Sequence, residues 1–350
     1  MSRAQYFHSI DNVLGAYEKR FFGAGFRRVR QLLNNIFIHN LDGKGVIGGQ
    51  ASIHYPEDWS KKGKAIRLEP HLSSIDALVL SAQLCELYLG TLYSLGADDI
   101  KQLWLRRFTM KSGHSSYHLL DNFPVEATHL STVKAEGSEA DYLSAFQTRI
   151  GFISLYLEYE HPISGVVLPK CRSTRHSTSI ESVLRTFDKR YYSVGYKKPV
   201  QKIHDVDVDI KNMAARARIS ILNVKEEAVT EGQCAAYWPC LTPIDCMISI
   251  AQLAQALLYK LDDIQRDSTN NLWMRDINMY CRRPISSMQG FQASTEIVKT
   301  KQIKNDGKTW RIARMRGDFN GIEVEYSVAH VLPGDNQRKA REQDDEMVLR

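Results

Sequence analysis

The 350-residue sequence is poor in the signatures that name a chemistry outright. It holds only 6 cysteines: Cys85, Cys171, Cys234, Cys240, Cys246 and Cys281. No two are spaced C-x-x-C, so neither a structural zinc site nor a disulfide framework is expected, and the thiols read as reduced and mostly buried. A P-loop, a G-x-G-x-x-G fingerprint and an H-E-x-x-H pair are absent, which leaves nucleotide and metalloprotease readings without support. G-x-S-x-G is missing too, which weakens an α/β-hydrolase reading. No apolar leader opens the chain, and the longest apolar stretch, near Cys246 to Tyr259, is broken by Ser and Gln. A soluble cytoplasmic protein with no membrane segment is expected. Net charge is +6. Basic residues interleave with aromatics in RFFGAGFRRVR and KRYYSVGYKK, a pattern that fits a solvated face better than nucleic acid. Docking of an acidic carrier domain or a phosphorylated substrate is a further option.

What the chain does have is an internal repeat. PHLSSIDALVLSAQL (70–84) and PCLTPIDCMISIAQL (239–253) are identical at 7 of 15 positions, at a constant offset of 169. SIDNVLGAYEKRFFGAGFRR (9–28) and SIESVLRTFDKRYYSVGYKK (179–198) share 7 of 20, with 8 further Asp/Glu, Phe/Tyr or Arg/Lys exchanges, at an offset of 170. Trp104 and Arg106 match Trp273 and Arg275, and His161 matches His330. Blocks in one register over this span mean duplication: a first repeat over 1–170, a second over 171–333, and a charged tail over 334–350. The period is too long for a solenoid, so the halves form two domains or one pseudo-dimer.

Each half opens with a short helical element (IDNVLGAYEKRFF, IESVLRTFDKRYY) and continues with strand-like segments. Turns are expected at LDGKG, EGSE, KNDGK and GDFNG. The one long helix in each half has a capped start. Ser73 is N-cap with Asp76 at N3; Thr242 is N-cap with Pro243 at N1 and Asp245 at N3. Its apolar residues run nearly all round, so it is buried, and it reads as too short and too polar to span a bilayer. One buried helix among about five or six antiparallel strands must be wrapped by the sheet. The expected fold class is therefore α+β, a double hotdog, as a monomeric pseudo-dimer or a homodimer.

The candidate site residues follow from this frame. Asp76 and Asp245 are either helix caps, worth about 1 kcal/mol each, or catalytic carboxylates. His71 is the nearest base to the first helix start, and Cys240 replaces it in the second. Trp104 and Arg106, with Trp273 and Arg275, fall on one face of the following strand. An Arg on an apolar face needs a partner, so Arg106 and Arg275 are expected to reach the helix-start carboxylates or an anionic substrate. Gln83 and Gln252 lie seven residues past the Asp on the same helix face, bonding either backbone or substrate. No cofactor or metal is implied.

Two resemblances add to this reading. IDALVLSAQL and IDCMISIAQL resemble the acidic helix start of FabA- and FabZ-type dehydratases, but the His-containing motif expected before it is missing from KKGKAIRLEP and VTEGQCAAYW. SIDNVLGAYEKRFFGAGFRRVR, YPEDWSKK and PHLSSIDALVLSAQL resemble the AvrD family of plant-associated bacteria and actinomycetes. That resemblance implies an enzyme of syringolide-like biosynthesis. It would transfer a β-ketoacyl group from a thioester of coenzyme A or acyl carrier protein to a xylulose-like sugar. A thioesterase or dehydratase on the same thioesters, and a non-catalytic protein that binds a butenolide-like ligand, are the alternatives.

Overall fold

The computed structural model describes residues 4–41, 44–62, 68–93, 95–136, 141–162, 174–175, 179–184, 186–266 and 272–332. Residues 42–43 of LDGKG, 137–139 of EGSE, Cys171 and the tail 334–350 lie outside these residues, while Leu41 pairs with Lys44 across the first of these turns. In chain order the first half gives β1 (Gln5–Ser9), α1 (Asp11–Leu14), β2 (Arg30–Leu41), β3 (Lys44–His54), α2 (Ser74–Leu92), α3 (Ala97–Lys101), β4 (Trp104–Lys111), β5 (Phe123–Lys134), β6 (Asp141–Ile150) and β7 (Ile153–Pro162). The second gives β8 (Thr174–Arg175), α4 (Ile180–Val183), β9 (Val200–Asp209), β10 (Ala214–Leu222), α5 (Pro243–Leu261), β11 (Trp273–Tyr280), β12 (Phe291–Asn305), β13 (Lys308–Phe319) and β14 (Ile322–Val331).

The two long helices start as their sequences dictate. Ser73 Oγ accepts from the Asp76 N–H at 3.2 Å while the Asp76 carboxylate accepts from the Ser73 N–H at 3.1 Å; Thr242 and Asp245 repeat the box at 3.3 and 3.0 Å. Every residue of α2 from Ile75 to Leu89 is buried. At 19 residues each, α2 and α5 are long and apolar enough to cross a membrane, so length was no ground against a bilayer for α2; here protein surrounds the most apolar part of each helix, 83% of which is buried. The N-terminal helical elements are shorter than expected. α1 and α4 are single turns of 4 residues, continued by 3₁₀ turns. Gly15, at φ 78°, ends α1 where an L side chain would be strained.

The strands form one antiparallel sheet of 14 among the described residues, ordered β1-β9-β10-β12-β13-β14-β11-β4-β7-β6-β5-β3-β2-β8. The order is a palindrome under the repeat: each strand left of centre has its counterpart at the same distance to the right. At the centre β4 pairs with β11, Phe108 opposite Met279, Thr109 opposite Asn278 and Met110 opposite Ile277. Thr109 and Asn278 are 169 apart, so a pseudo-twofold axis passes through their pair. Asp306-Gly307 (φ 48° and 70°) and Asn320-Gly321 (φ 52° and 88°) make the tight turns expected at KNDGK and GDFNG. Each half wraps its sheet round its own long helix, which is a double hotdog.

The halves also exchange their N-terminal segments. β1 of the first half adds to β9 of the second, and β8 adds to β2. The following turns cross as well. Lys197 Nζ donates to the Val29 carbonyl at 2.6 Å, and Arg27 donates to the carbonyl of Pro199, which lies 170 residues after Val29. Gly25 sits in one of these turns, where a Cβ would lie 1.9 Å from the Trp59 carbonyl oxygen.

Candidate active site

Asp76 and Asp245 occupy matching cages. Asp76 accepts from Ser73 Oγ and Gln31 Nε2, each at 2.6 Å, and from the Tyr55 hydroxyl. Asp245 accepts from Thr242 Oγ1 and Gln201 Nε2, each at 2.6 Å. Both carboxylates are only 1–2% exposed. Burial pushes the Asp245 carboxyl up, and it pushes the Tyr55 hydroxyl well up, with the neighbouring Asp76 charge adding to the effect. The caging glutamines come from β2 and β9, 170 residues apart, and the lids come from the opposite half. The Tyr196 hydroxyl donates to Gln31 Oε1 at 3.1 Å, and Arg27 donates to Gln201 Oε1 at 2.9 Å. Neither carboxylate lines either of the two cavities described below. Their lone pairs are spent on the helix start and on locking the halves together.

Gln83 and Gln252 span the halves too. Gln83 Nε2 donates to the Tyr192 carbonyl at 2.8 Å and Gln252 Nε2 to the Phe22 carbonyl at 3.3 Å, again 170 residues apart. Gln252 differs from Gln83: its Nε2 also donates to the Ile248 carbonyl at 3.1 Å, its Oε1 is buried without a partner, and the residue lines a cavity.

That cavity, about 150 Å³, lies between the start of α2 and the middle of α5. Its walls are His71, Ser73 and Ser74 at the helix start, Ser112, Ser115 and Ser116 after β4, Met247, Ala251, Gln252 and Tyr259 on α5, and Trp273 and Arg275 on β11. His71 Nδ1 is 3.1 Å from the Glu69 carbonyl oxygen. A carbonyl only accepts, so the proton sits on Nδ1 and the lone pair on Nε2. Burial holds the His71 imidazole below its ordinary range, and nearby His118 adds to this. The Trp273 ring stacks on it at 5.9 Å and 10°. Ser74 stands at the first helical position, where a backbone N–H has no intrahelical acceptor.

The counterpart at the start of α5 is filled. Cys240 takes the place of His71, and residues 232–237 cover the equivalent walls. Gln233 Nε2 donates to the Ala82 carbonyl at 2.6 Å, and the Cys234 N–H donates to the Leu103 carbonyl at 2.9 Å. Glu86, the counterpart of Gln255, is buried against Arg190 and accepts from the Gln233 N–H at 3.0 Å. Burial, offset in part by Arg190, pushes the Glu86 carboxyl up. The Trp104 indole donates to the Cys281 carbonyl at 2.9 Å, with the Tyr237 ring edge-on at 5.8 Å.

Neither arginine bonds a helix-start carboxylate, the first of the two partners expected for them. A β-bulge falls on each, which breaks the alternation that placed them on the apolar face with the tryptophans. Arg106 bonds the Tyr280 hydroxyl at 2.9 Å and Glu160 at 3.2 Å rather than Asp76. Arg275 is exposed at the rim of the cavity. His161 and His330 close their strands in the core, His161 on Ser144 at 2.7 Å and His330 on Asp262 at 2.8 Å. Cys85, Cys234, Cys240, Cys246 and Cys281 are buried free thiols. Sequence reasoning missed Gln31 and Gln201, although their shared offset of 170 pointed to them.

No curated protein matches the chain by sequence. Among solved structures it is similar to Rv0216 of Mycobacterium tuberculosis, which has a double hotdog fold (9% identity, 95% of this chain and 96% of that chain, TM-score 0.42). It is also similar to a MaoC-like dehydratase (9% identity, 74% and 83%, TM-score 0.36) and to the acyl-CoA thioesterase II TesB2 of Mycobacterium marinum (7% identity, 85% and 96%, TM-score 0.33). The family described as Pseudomonas avirulence D protein (AvrD) matches residues 5–333. The chain belongs to the AvrD family.

Proposed function

We propose that the protein transfers a β-ketoacyl group from a thioester of coenzyme A or acyl carrier protein to a hydroxyl of a small xylulose-like acceptor, in the cavity at the start of α2. The observation that carries this reading is the neutral His71 on the cavity wall, its Nδ1 tied to the Glu69 carbonyl so that Nε2 is free as a base. His71 takes the proton of the acceptor hydroxyl as that oxygen attacks the thioester carbon. The Ser74 N–H faces the charge that develops on the carbonyl oxygen. The C–S bond then breaks, and the thiolate leaves with the proton from His71. Met247, Ala251 and Tyr259 supply an apolar wall for the acyl chain, and the unpartnered Gln252 Oε1 is an acceptor for a hydroxyl. Asp76 acts through the helix start that it caps and does not touch the reacting atoms.

The test is incubation with β-ketooctanoyl thioester, with and without xylulose. An acyl ester that requires both, and that falls about 10²-fold or more in His71→Ala, is expected. No ester above the buffer rate contradicts the proposal. Free acid without acceptor replaces it with a thioesterase, and an enoyl product with a dehydratase.

A further inference from the structure

A second cavity, about 530 Å³, adjoins the first on the outer side of the sheet. The two share Ser115, Ser116, Trp273 and Arg275, so Arg275 stands at their junction. We infer that Arg275 is the recognition point for a phosphate group on the substrate.

The internal repeat supplies the control. Arg106 and Arg275 are counterparts, each at the bulge of its strand, each against the last strand of its half. Arg106 is neutralised by Glu160 at 3.2 Å, with Glu158 at 4.0 Å. The residues 169 further on are Ser327 and Ala329. The second half has kept the cation and lost both carboxylates. Among the described residues Arg275 makes no side-chain hydrogen bond or ion pair, and Ala329 lines the outer cavity instead of occupying it.

The surroundings fit an anion. Among the described residues no Asp or Glu lines either cavity, whereas Arg20 (paired with Asp11 at 2.6 Å), Lys62, Arg266 and Arg275 do. Around Arg275 stand His114, Ser115, Ser116, His118 and Asn305, donors on several sides. A planar guanidinium plus a ring of hydroxyl, imidazole and amide donors matches the three oxygens of a phosphate better than the two of a carboxylate. Trp273 and Trp310 give the rest of the groove an apolar, stackable wall. Two substrates of the proposed transfer can carry this group: the phosphopantetheine arm of the thioester, and a phosphorylated acceptor. The inference deepens the acyl-transfer reading, and it can be measured without turnover.

The experiment is equilibrium binding to the His71→Asn protein, read by calorimetry and by the fluorescence of the groove tryptophans. The ligands are pantetheine against 4′-phosphopantetheine, xylulose against xylulose 5-phosphate, and inorganic phosphate as competitor. In at least one pair the phosphorylated member is expected to bind about tenfold tighter or better, and phosphate to compete. That gain should vanish in Arg275→Ala, and also in Ala329→Glu, which restores the carboxylate that silences Arg106. It should persist in Arg106→Ala. The pair that shows the gain identifies the source. Equal affinity within both pairs overturns the inference, as does a gain that survives Arg275→Ala. Phosphate binding through Arg275 without ester formation by the wild type leaves this inference standing and sinks the acyl-transfer reading.

Discussion

The start of α2 and the start of α5 are the same structure with different contents. Both helices are capped by the same Ser/Thr and Asp box, both carboxylates are caged by a glutamine 45 or 44 residues earlier, and both cages are closed by a turn from the other half. Beside α2 there is a cavity with a neutral histidine on its wall. Beside α5 the same space is taken by residues 232–237 and by the buried Glu86–Arg190 pair. Among the described residues the frame stands twice; the segment 232–237 that fills the space beside α5 corresponds to 63–68, of which 63–67 lie outside the described residues. The lesson is that the parts common to both copies hold the fold, and the parts that differ are where chemistry is to be sought. By that criterion the proposed function treats Asp76 and Asp245 as framework and looks for chemistry at His71 against Cys240 and at Arg275 against Arg106.

The largest expected effect breaks the comparison at its sharpest point. His71→Ala should cost about 10²–10⁴-fold in acyl-transfer rate, while Cys240→Ala at the matching position leaves the rate within about twofold, measured as ester formed per unit of folded protein. If the two variants lose activity alike, the sites are not different in kind.

Next comes the shared framework. Asp76→Ala and Asp245→Ala each leave a glutamine amide and a hydroxyl donor buried without an acceptor. Each should lower unfolding stability by about 3 kcal/mol in a urea titration, and by similar amounts. A carboxylate whose loss leaves stability untouched but stops turnover would be catalytic after all. Glu86→Ala probes the filled site. It removes the carboxylate that Arg190 pairs with, and a loss of about 3 kcal/mol is expected with no change in the rate of the folded enzyme.

The smallest effect is in the pH profile. Burial lowers the His71 folded-state pKa, so the base is intact above that value and is lost as pH falls through it. The acid limb of the rate should therefore lie below the ordinary imidazole value of about 6.5. The unfolded chain takes up this proton first, so His71 also contributes stability that fades as pH falls below that same value.

Much of this was legible in the residues. The duplication, the caps, the buried helices, the antiparallel wrap and the turns at Asp306-Gly307 and Asn320-Gly321 come from local rules and self-similarity. Gln83 and Gln252 could be placed on the helix face but not assigned partners, because the carbonyls they bond lie in the opposite half. Arg106 was misplaced because a bulge shifts the strand alternation by one residue, and composition does not announce a bulge. The exchange of β1 and β8 was hidden for the same reason: a short strand shows no sign of which sheet edge it joins. The filling of the second site was invisible, since VTEGQCAAYW has no period that says it packs on Glu86 and Trp104.

The most direct test of a single working site is binding stoichiometry. A β-ketoacyl amide analogue of the thioester, which cannot transfer its acyl group, is titrated into the full chain by calorimetry and located by crystallography. One molecule per chain, with its carbonyl beside His71 and Ser74, is the predicted result. Two molecules per chain, or one lodged beside Cys240 and Thr242, would contradict it.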